Sequence, residues 1–132
     1  MSQENVEIVR RQNDAFNRGD LAEVFERSDP NFEWWDREDD PGATVHHGHD
    51  GIRQVMAEVA ESLVGLRVEP KEFIDAGDYV VVPVRVVGRG RASGASFEEH
   101  EVQVFRLRDG KIMELREYRE KNEALEAVGL EE

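Results

Sequence analysis

Residues 79–88 read Tyr-Val-Val-Val-Pro-Val-Arg-Val-Val-Gly, and every even position from 80 to 86 is valine. A period of two puts Val80, Val82, Val84 and Val86 on one face of a strand. Tyr79, Val81, Pro83, Arg85 and Val87 take the other. The even face suits a core, and the mixed odd face suits solvent or a partner. Pro83 cannot donate to a ladder, so a bulge or an edge is expected there. Such a strand needs strand neighbours and a covering layer.

Both are legible in the sequence. Residues 97–107 and 111–119 flank Asp109-Gly110, a strong hairpin signal. Residues 67–74 read as a strand before the turn Asp75-Ala76-Gly77-Asp78, and residues 88–94 as a Gly/Arg turn. Phe32-Glu33-Trp34-Trp35-Asp36 alternates, with Phe32, Trp34 and Asp36 on one face and Glu33 and Trp35 on the other. A helical period runs through residues 3–18, where Val6, Val9, Asn13 and Phe16 form a stripe. Asp20 starts a second helix with Glu23 as capping-box partner, and Asp29-Pro30 breaks it. A third helix spans about residues 50–64 with Asp50 as N-cap and Ile52, Val55, Met56, Val59, Ala60 and Leu63 as its apolar stripe. Residues 123–128 form a last helical turn closed by Gly129. Helices first, then strands with one helix between them, predict an α+β fold in a single domain, residues 1–132.

Charge and cysteine usage narrow the function. With 30 acidic and 17 basic residues the net charge is −13, a field that repels nucleic-acid phosphates and anionic membranes. The chain has no cysteine, which removes disulfides, Cys-based zinc sites and thiol nucleophiles and fits a reducing cytoplasm. The opening Met-Ser-Gln-Glu-Asn has no basic n-region or apolar h-region, and no apolar run approaches the roughly 18 residues of a span. The expectation is a cytoplasmic protein that binds neither nucleic acid nor membrane.

Several short motifs occur in a telling order. They are Ala15-Phe16-Asn17-Arg18-Gly19-Asp20, Asp29-Pro30 before Phe32-Glu33-Trp34, and Gly48-His49-Asp50-Gly51-Ile52-Arg53. Phe73-Ile74-Asp75-Ala76-Gly77-Asp78, the stretch 104–112 and Glu123-Ala124-Leu125-Glu126-Ala127 follow. Together they resemble SnoaL-like domains of the nuclear-transport-factor-2-like superfamily. The resemblance implies a cone-shaped α+β barrel: a curved, mostly antiparallel sheet packed on three N-terminal-side helices around a pocket. It also implies a homodimer through the outer sheet face. The superfamily holds polyketide cyclases, ketosteroid isomerases, limonene epoxide hydrolases, dehydratases and non-catalytic binders, and fold does not choose among them.

The resemblance puts Asp36 where ketosteroid isomerases keep their proton-transferring Asp. An apolar wall beside a carboxylate raises its pKa and suits it as a base. The other reading is that Asp36 merely opens the acidic loop 36–40 at the barrel mouth. The isomerase's two oxyanion donors align with Gln12 and Gln103, so that match is incomplete. The epoxide hydrolases' Asp–Arg–Asp array lacks its second Asp. Trp34 is expected at the pocket and Trp35 outside it. Resemblance also turns Glu101, Gln103 and Phe105 inward, with Met113, Leu115, Glu117 and Arg119 on the last strand. Two readings of these polar groups stand: a structural network of Glu117 with Arg119 or Gln103, or a patch that orients a substrate carbonyl or hydroxyl.

His46, His47, His49 and Asp50 invite a metal reading. The spacing argues against it, since His46 and His47 diverge on a strand and the segment is not an i, i+4 helical pair. A polar helix start is the other reading, with His47 alone reaching the pocket rim. Gly88-Arg89-Gly90-Arg91 lacks the context of a phosphate loop, and no serine sits in a nucleophile elbow. The expectation, carried by the resemblance, is a SnoaL-like protein that encloses a small, apolar, ring-containing molecule and, as an enzyme, works by cofactor-independent proton transfer: isomerisation, cyclisation, dehydration or hydrolysis. Asp36 is the base, Gln103 the donor to a developing oxyanion, and Phe16, Trp34, His47, Glu101, Phe105, Leu115, Glu117 and Arg119 contact substrate. The alternatives are a non-catalytic dimeric binding or accessory domain and a metal-dependent protein using residues 46–50.

Overall fold

In the computed structural model, which describes residues 2–130, Val80, Val82 and Val84 are at most 1% exposed. Each such side chain contributes about 1.5–3 kcal/mol by leaving water. They lie on β5 (Tyr79–Gly90), near one edge of a seven-stranded sheet. The other strands are β1 (Ser28–Trp35), β2 (Val45–His47), β3 (Leu63–Pro70), β4 (Ile74–Ala76), β6 (Ser96–Arg108) and β7 (Lys111–Tyr118). Their order is β2-β1-β7-β6-β5-β3, with β4 also on β5. Only the β1–β7 pairing is parallel. The helices are α1 (Ser2–Arg18), α2 (Leu21–Arg27), α3 (Gly48–Ser62) and α4 (Lys121–Ala127). The result is a cone-shaped α+β fold. Val9 of α1, Val24 of α2 and Ile52 of α3 join Phe32, Phe105, Leu115 and the even valines in one core.

Several local expectations are corrected. The strand expected over 67–74 is two strands, because residues 71–73 leave the ladder. Pro83 faces that gap: Pro70 pairs with Val84 and Ile74 with Val81, so the missing N–H of Pro83 has no ladder partner to lose. Its carbonyl accepts from the Lys71 N–H at 2.8 Å. The odd face of β5 is not left to solvent throughout, since Val81 packs with Val102, Val104, Ala124 and Leu125 under α4. β5 runs on to Gly90 and β6 starts at Ser96, which shortens the expected 88–94 turn.

Asp20 caps α2, accepting from the Glu23 N–H at 3.2 Å. The Glu23 carboxylate pairs instead with Arg18 at 2.7 Å. Asp29-Pro30 lies inside β1 rather than in the break, as the chain passes straight from α2 to strand at Ser28. His47 holds the N-cap position of α3, and Asp50 sits one turn in, bonded to Arg53 at 2.7 Å. Asn17 locks α1 to the sheet by donating to the Val68 carbonyl and accepting from its N–H, both at 2.9 Å.

The hairpin turn has Asp109 at φ 52° and Gly110 at φ 78°, the two positive values of a type I′ turn. Just beyond it, Leu107 pairs with Ile112 but Arg106 with Glu114. Met113 is thus an extra residue, a bulge that moves the inward face of β7 by one position. Ile112, not Met113, lines the interior alongside Leu115 and Glu117. No helix among the described residues is long and apolar enough to cross a membrane.

Candidate functional site

The concave sheet face, α1 and α3 enclose a cavity of about 380 Å³. Its walls are apolar: Phe16 from α1, Phe32 and Trp34 from β1, Ile52 and Val55 from α3, Phe105 from β6, and Ile112 and Leu115 from β7. Asp36, His46, Glu101, Gln103 and Glu117 supply polar groups. Alternation explains the set. Phe32 and Trp34 share the inner face of β1, and Asp36 follows just past its end. The odd positions 101, 103 and 105 share the inner face of β6.

Asp36 is fixed by three contacts. Its N–H donates to the Thr44 carbonyl at 3.1 Å, and its carboxylate accepts from the Thr44 N–H at 3.2 Å. His46 Nε2 stands 3.2 Å from each carboxylate oxygen. The reason is register: His46 pairs directly with Trp34, so the two point inward together, while His47 pairs with Glu33. The rim position expected of His47 is corrected accordingly. Its side chain is 71% exposed, 3.8 Å from Glu33. His46 is the cavity residue that the sequence did not single out. The signal was the pairing of two alternating segments across the acidic loop, and spacing alone does not fix that register.

Arg119 is the second correction. It lies beyond the end of β7 and its Nε donates to Asp39 at 2.9 Å on the surface. It forms no network with Glu117. Glu117 instead accepts from the indole N–H of Trp34 at 3.2 Å. Phe16, Trp34, Asp36, Glu101, Gln103, Phe105, Leu115 and Glu117 are all brought to the cavity; His47 and Arg119 are not. Three imidazoles of the histidine cluster diverge. His46 faces Asp36, His47 faces Glu33, and His49 bonds the Ser28 carbonyl at 3.0 Å and stacks on Phe25. Among the described residues no group of three or more His, Asp or Glu is placed to hold a metal ion.

Two glutamines have different fates. Gln12 donates through Nε2 to the Val24 carbonyl and to Ser28 Oγ, both at 3.1 Å. A carbonyl only accepts, so this fixes the amide orientation and leaves Oε1 buried without a partner. Gln103 is 8% exposed and lines the cavity, and its side-chain amide has no hydrogen bond to any described residue.

Burial dominates the electrostatics. It pushes Glu117 up to about 8, helped by Glu101, Asp36 and Asp40 and opposed by the Trp34 N–H. It likewise pushes Glu101 up, against the pull of Arg37 and with help from Glu99 and Asp40.

Comparisons with known proteins then place the chain. The SnoaL-like domain family matches residues 9–115. The chain belongs to that family. Solved structures agree with the fold. An NTF2-like protein from Burkholderia thailandensis is 30% identical, with 86% of this chain and 88% of that one covered and a TM-score of 0.78. An NTF2-like protein of unknown function from Burkholderia pseudomallei is 25% identical over 98% and 99%, with a TM-score of 0.79. TerC, co-crystallised with polyporic acid, is 26% identical over 95% and 98%, with a TM-score of 0.78. A comparison with curated proteins gave no match.

Proposed function

We propose that this SnoaL-like protein is a cofactor-independent acid/base enzyme that encloses an apolar, ring-containing small molecule. The observation that carries this reading is the Asp36–His46 pair set beside Trp34 at the edge of a cavity with apolar walls. A carboxylate only accepts, so His46 carries its proton on Nε2 and bridges both oxygens. Asp36 takes a proton from a carbon next to a substrate carbonyl. The C–H bond breaks, and its electron pair moves onto the carbonyl oxygen. The amide N–H of Gln103, otherwise unpaired, donates to that oxygen. Return of the proton to another carbon of the enolate completes an isomerisation. In a cyclisation the enolate carbon instead bonds to a second carbonyl carbon of the substrate, whose oxygen takes the proton; in a dehydration the C–O bond of a β-hydroxyl breaks and the hydroxyl leaves with the proton as water. Trp34, Phe105 and Phe16 hold the ring system. The co-crystal of the relative TerC supports small-molecule occupancy of this fold.

The test is a pH–rate profile for turnover of enolisable ring ketones, with Asp36→Asn beside the native protein. Loss of roughly 10²–10⁴-fold in rate is expected for a removed base. Unchanged turnover in the variant removes Asp36 from the mechanism. A second reading, a non-catalytic binding domain, is favoured by Gln12, whose amide N–H groups are committed to Val24 and Ser28. Ligand binding without turnover across the panel selects it. The functional unit in either reading is a homodimer through the part of the outer face that α4 leaves open, where Arg116 covers Trp35 at 3.9 Å. Sedimentation velocity checks that state.

A further inference from the structure

The charges on the cavity wall have one sign. Asp36, Glu58, Glu99, Glu101 and Glu117 line it, and no lysine or arginine among the described residues does. Arg37 comes nearest, with Nη1 3.8 Å from Glu101. It is already committed to Asp39 and Asp40 at 2.9 and 3.0 Å. Around a ligand, then, the protein supplies an excess of acidic groups over cations, with only Arg37 and His46 beside them.

A second, independent observation points the same way. Gln103 is more than nine-tenths buried, lines the cavity and has an amide with no partner among the described residues. That amide is open to the cavity and free to bond a polar group of a ligand there. Gln103 pairs directly with Glu117 across β6 and β7, and Glu101 is two residues along the same face. The three therefore form one patch. Phe105 continues the same face of β6, the Trp34 indole N–H reaches Glu117 at 3.2 Å, and Phe16 lines the same cavity, so aromatic rings, whose quadrupoles attract a cation, border the patch.

We propose that the ligand carries a protonated amine on its apolar ring system, and that its ammonium group is held by Glu101, Glu117 and the side-chain oxygen of Gln103. This rests on the reading of the cavity as the substrate site. An ammonium has donors and no acceptors, which matches two carboxylates and an amide oxygen. It also removes the repulsion between Glu101 and Glu117 that burial magnifies. The groups that face this pair are Glu99 from β6, Asp36, Arg37 and Asp40 beyond β1, and the Trp34 indole N–H. His46 of β2 faces Asp36 beside them. Of the charged groups, only Arg37 opposes the negative field.

The experiment is isothermal titration with three probes of similar shape between about pH 6 and about pH 8.5, the range into which burial raises Glu101 and Glu117. The probes are 2-(dimethylaminomethyl)naphthalene, 2-isobutylnaphthalene and 2-naphthylacetate. The amine is expected to bind roughly ten- to hundredfold tighter than the hydrocarbon, the effect of a charged hydrogen bond. Its advantage grows with pH as the carboxyls ionise. Glu101→Gln and Glu117→Gln, each confirmed folded by a cooperative thermal transition, cut that advantage. Equal or tighter binding of hydrocarbon or acetate overturns the amine and leaves the cavity reading standing. Failure of all three probes overturns the cavity reading and the amine with it. An amine preference unchanged in both variants overturns the assigned seat.

Discussion

Nε2 of His46 stands 3.2 Å from both carboxylate oxygens of Asp36, a bridge between a residue of β2 and one just past β1. Two features set it. Strand pairing turns His46 inward opposite Trp34, and α3 packs hard on the His46 backbone. A side chain at Gly51 has no room there. Its Cβ would lie 2.7 Å from the His46 carbonyl carbon and 3.0 Å from His46 Cβ.

Gly51→Ala therefore moves His46 away from Asp36. Overpacking of this kind costs about 1–3 kcal/mol, so a lower Tm is expected together with reduced turnover. A variant with native Tm and native activity means that the close approach does not position the pair.

In the proposed mechanism His46 acts through Asp36, as a positioning residue. His46→Phe keeps the ring volume but loses the N–H, and kcat is expected to fall by roughly tenfold with KM little changed. His46→Gln restores a donor and recovers part of the loss. Equal kcat in all three proteins contradicts the role.

Glu117 makes stability depend on pH in a defined direction. Its pKa is raised from the ordinary 4.5 to about 8, so the unfolded chain loses this proton first as pH rises. Between those values the folded state binds more protons, and stability falls with increasing pH. Below 4.5 the contribution is fully present; above about 8 it is lost. Glu117→Gln removes that slope, so the variant gains stability relative to the native protein as pH rises from 5 to 8, on the order of 1 kcal/mol or more. Urea unfolding at several pH values measures it. A constant difference across the range rules out late ionisation of Glu117.

Phe105 is 7% exposed and forms part of both core and cavity wall. Phe105→Ala is expected to cost about 3 kcal/mol, the low end for such a truncation, because one side of the ring already faces open space. The enlarged cavity admits bulkier ring systems, seen as a shift of binding preference toward them. A preference that stays the same places the ligand elsewhere.

The sequence shows its architecture where a pattern repeats. Four alternating valines mark β5, and Asp109-Gly110 marks the hairpin, since each follows from local stereochemistry. Features that depend on one residue's slip between strands are not marked. Met113 bulges out of β7 without any change in composition, which sends Ile112 inward. Two adjacent histidines are equivalent by alternation until β2 is paired, and the register then selects His46 over His47. Arg119 continues the period of β7, but the strand stops at Tyr118 and Asp39 captures it at the surface. The inward acids of β6 were reached by resemblance, and their unusual ionisation only by burial, which depends on the closed cavity.

Proton transfer at Asp36 is tested most directly by deuterium. Enolisable ring ketones, 2-tetralone among them, are incubated in D2O with native protein or with Asp36→Asn, and label at the carbon beside the carbonyl is followed by mass spectrometry. The account predicts accelerated exchange with native protein and a loss of roughly a hundredfold or more in the variant. Exchange at the native rate in Asp36→Asn contradicts it.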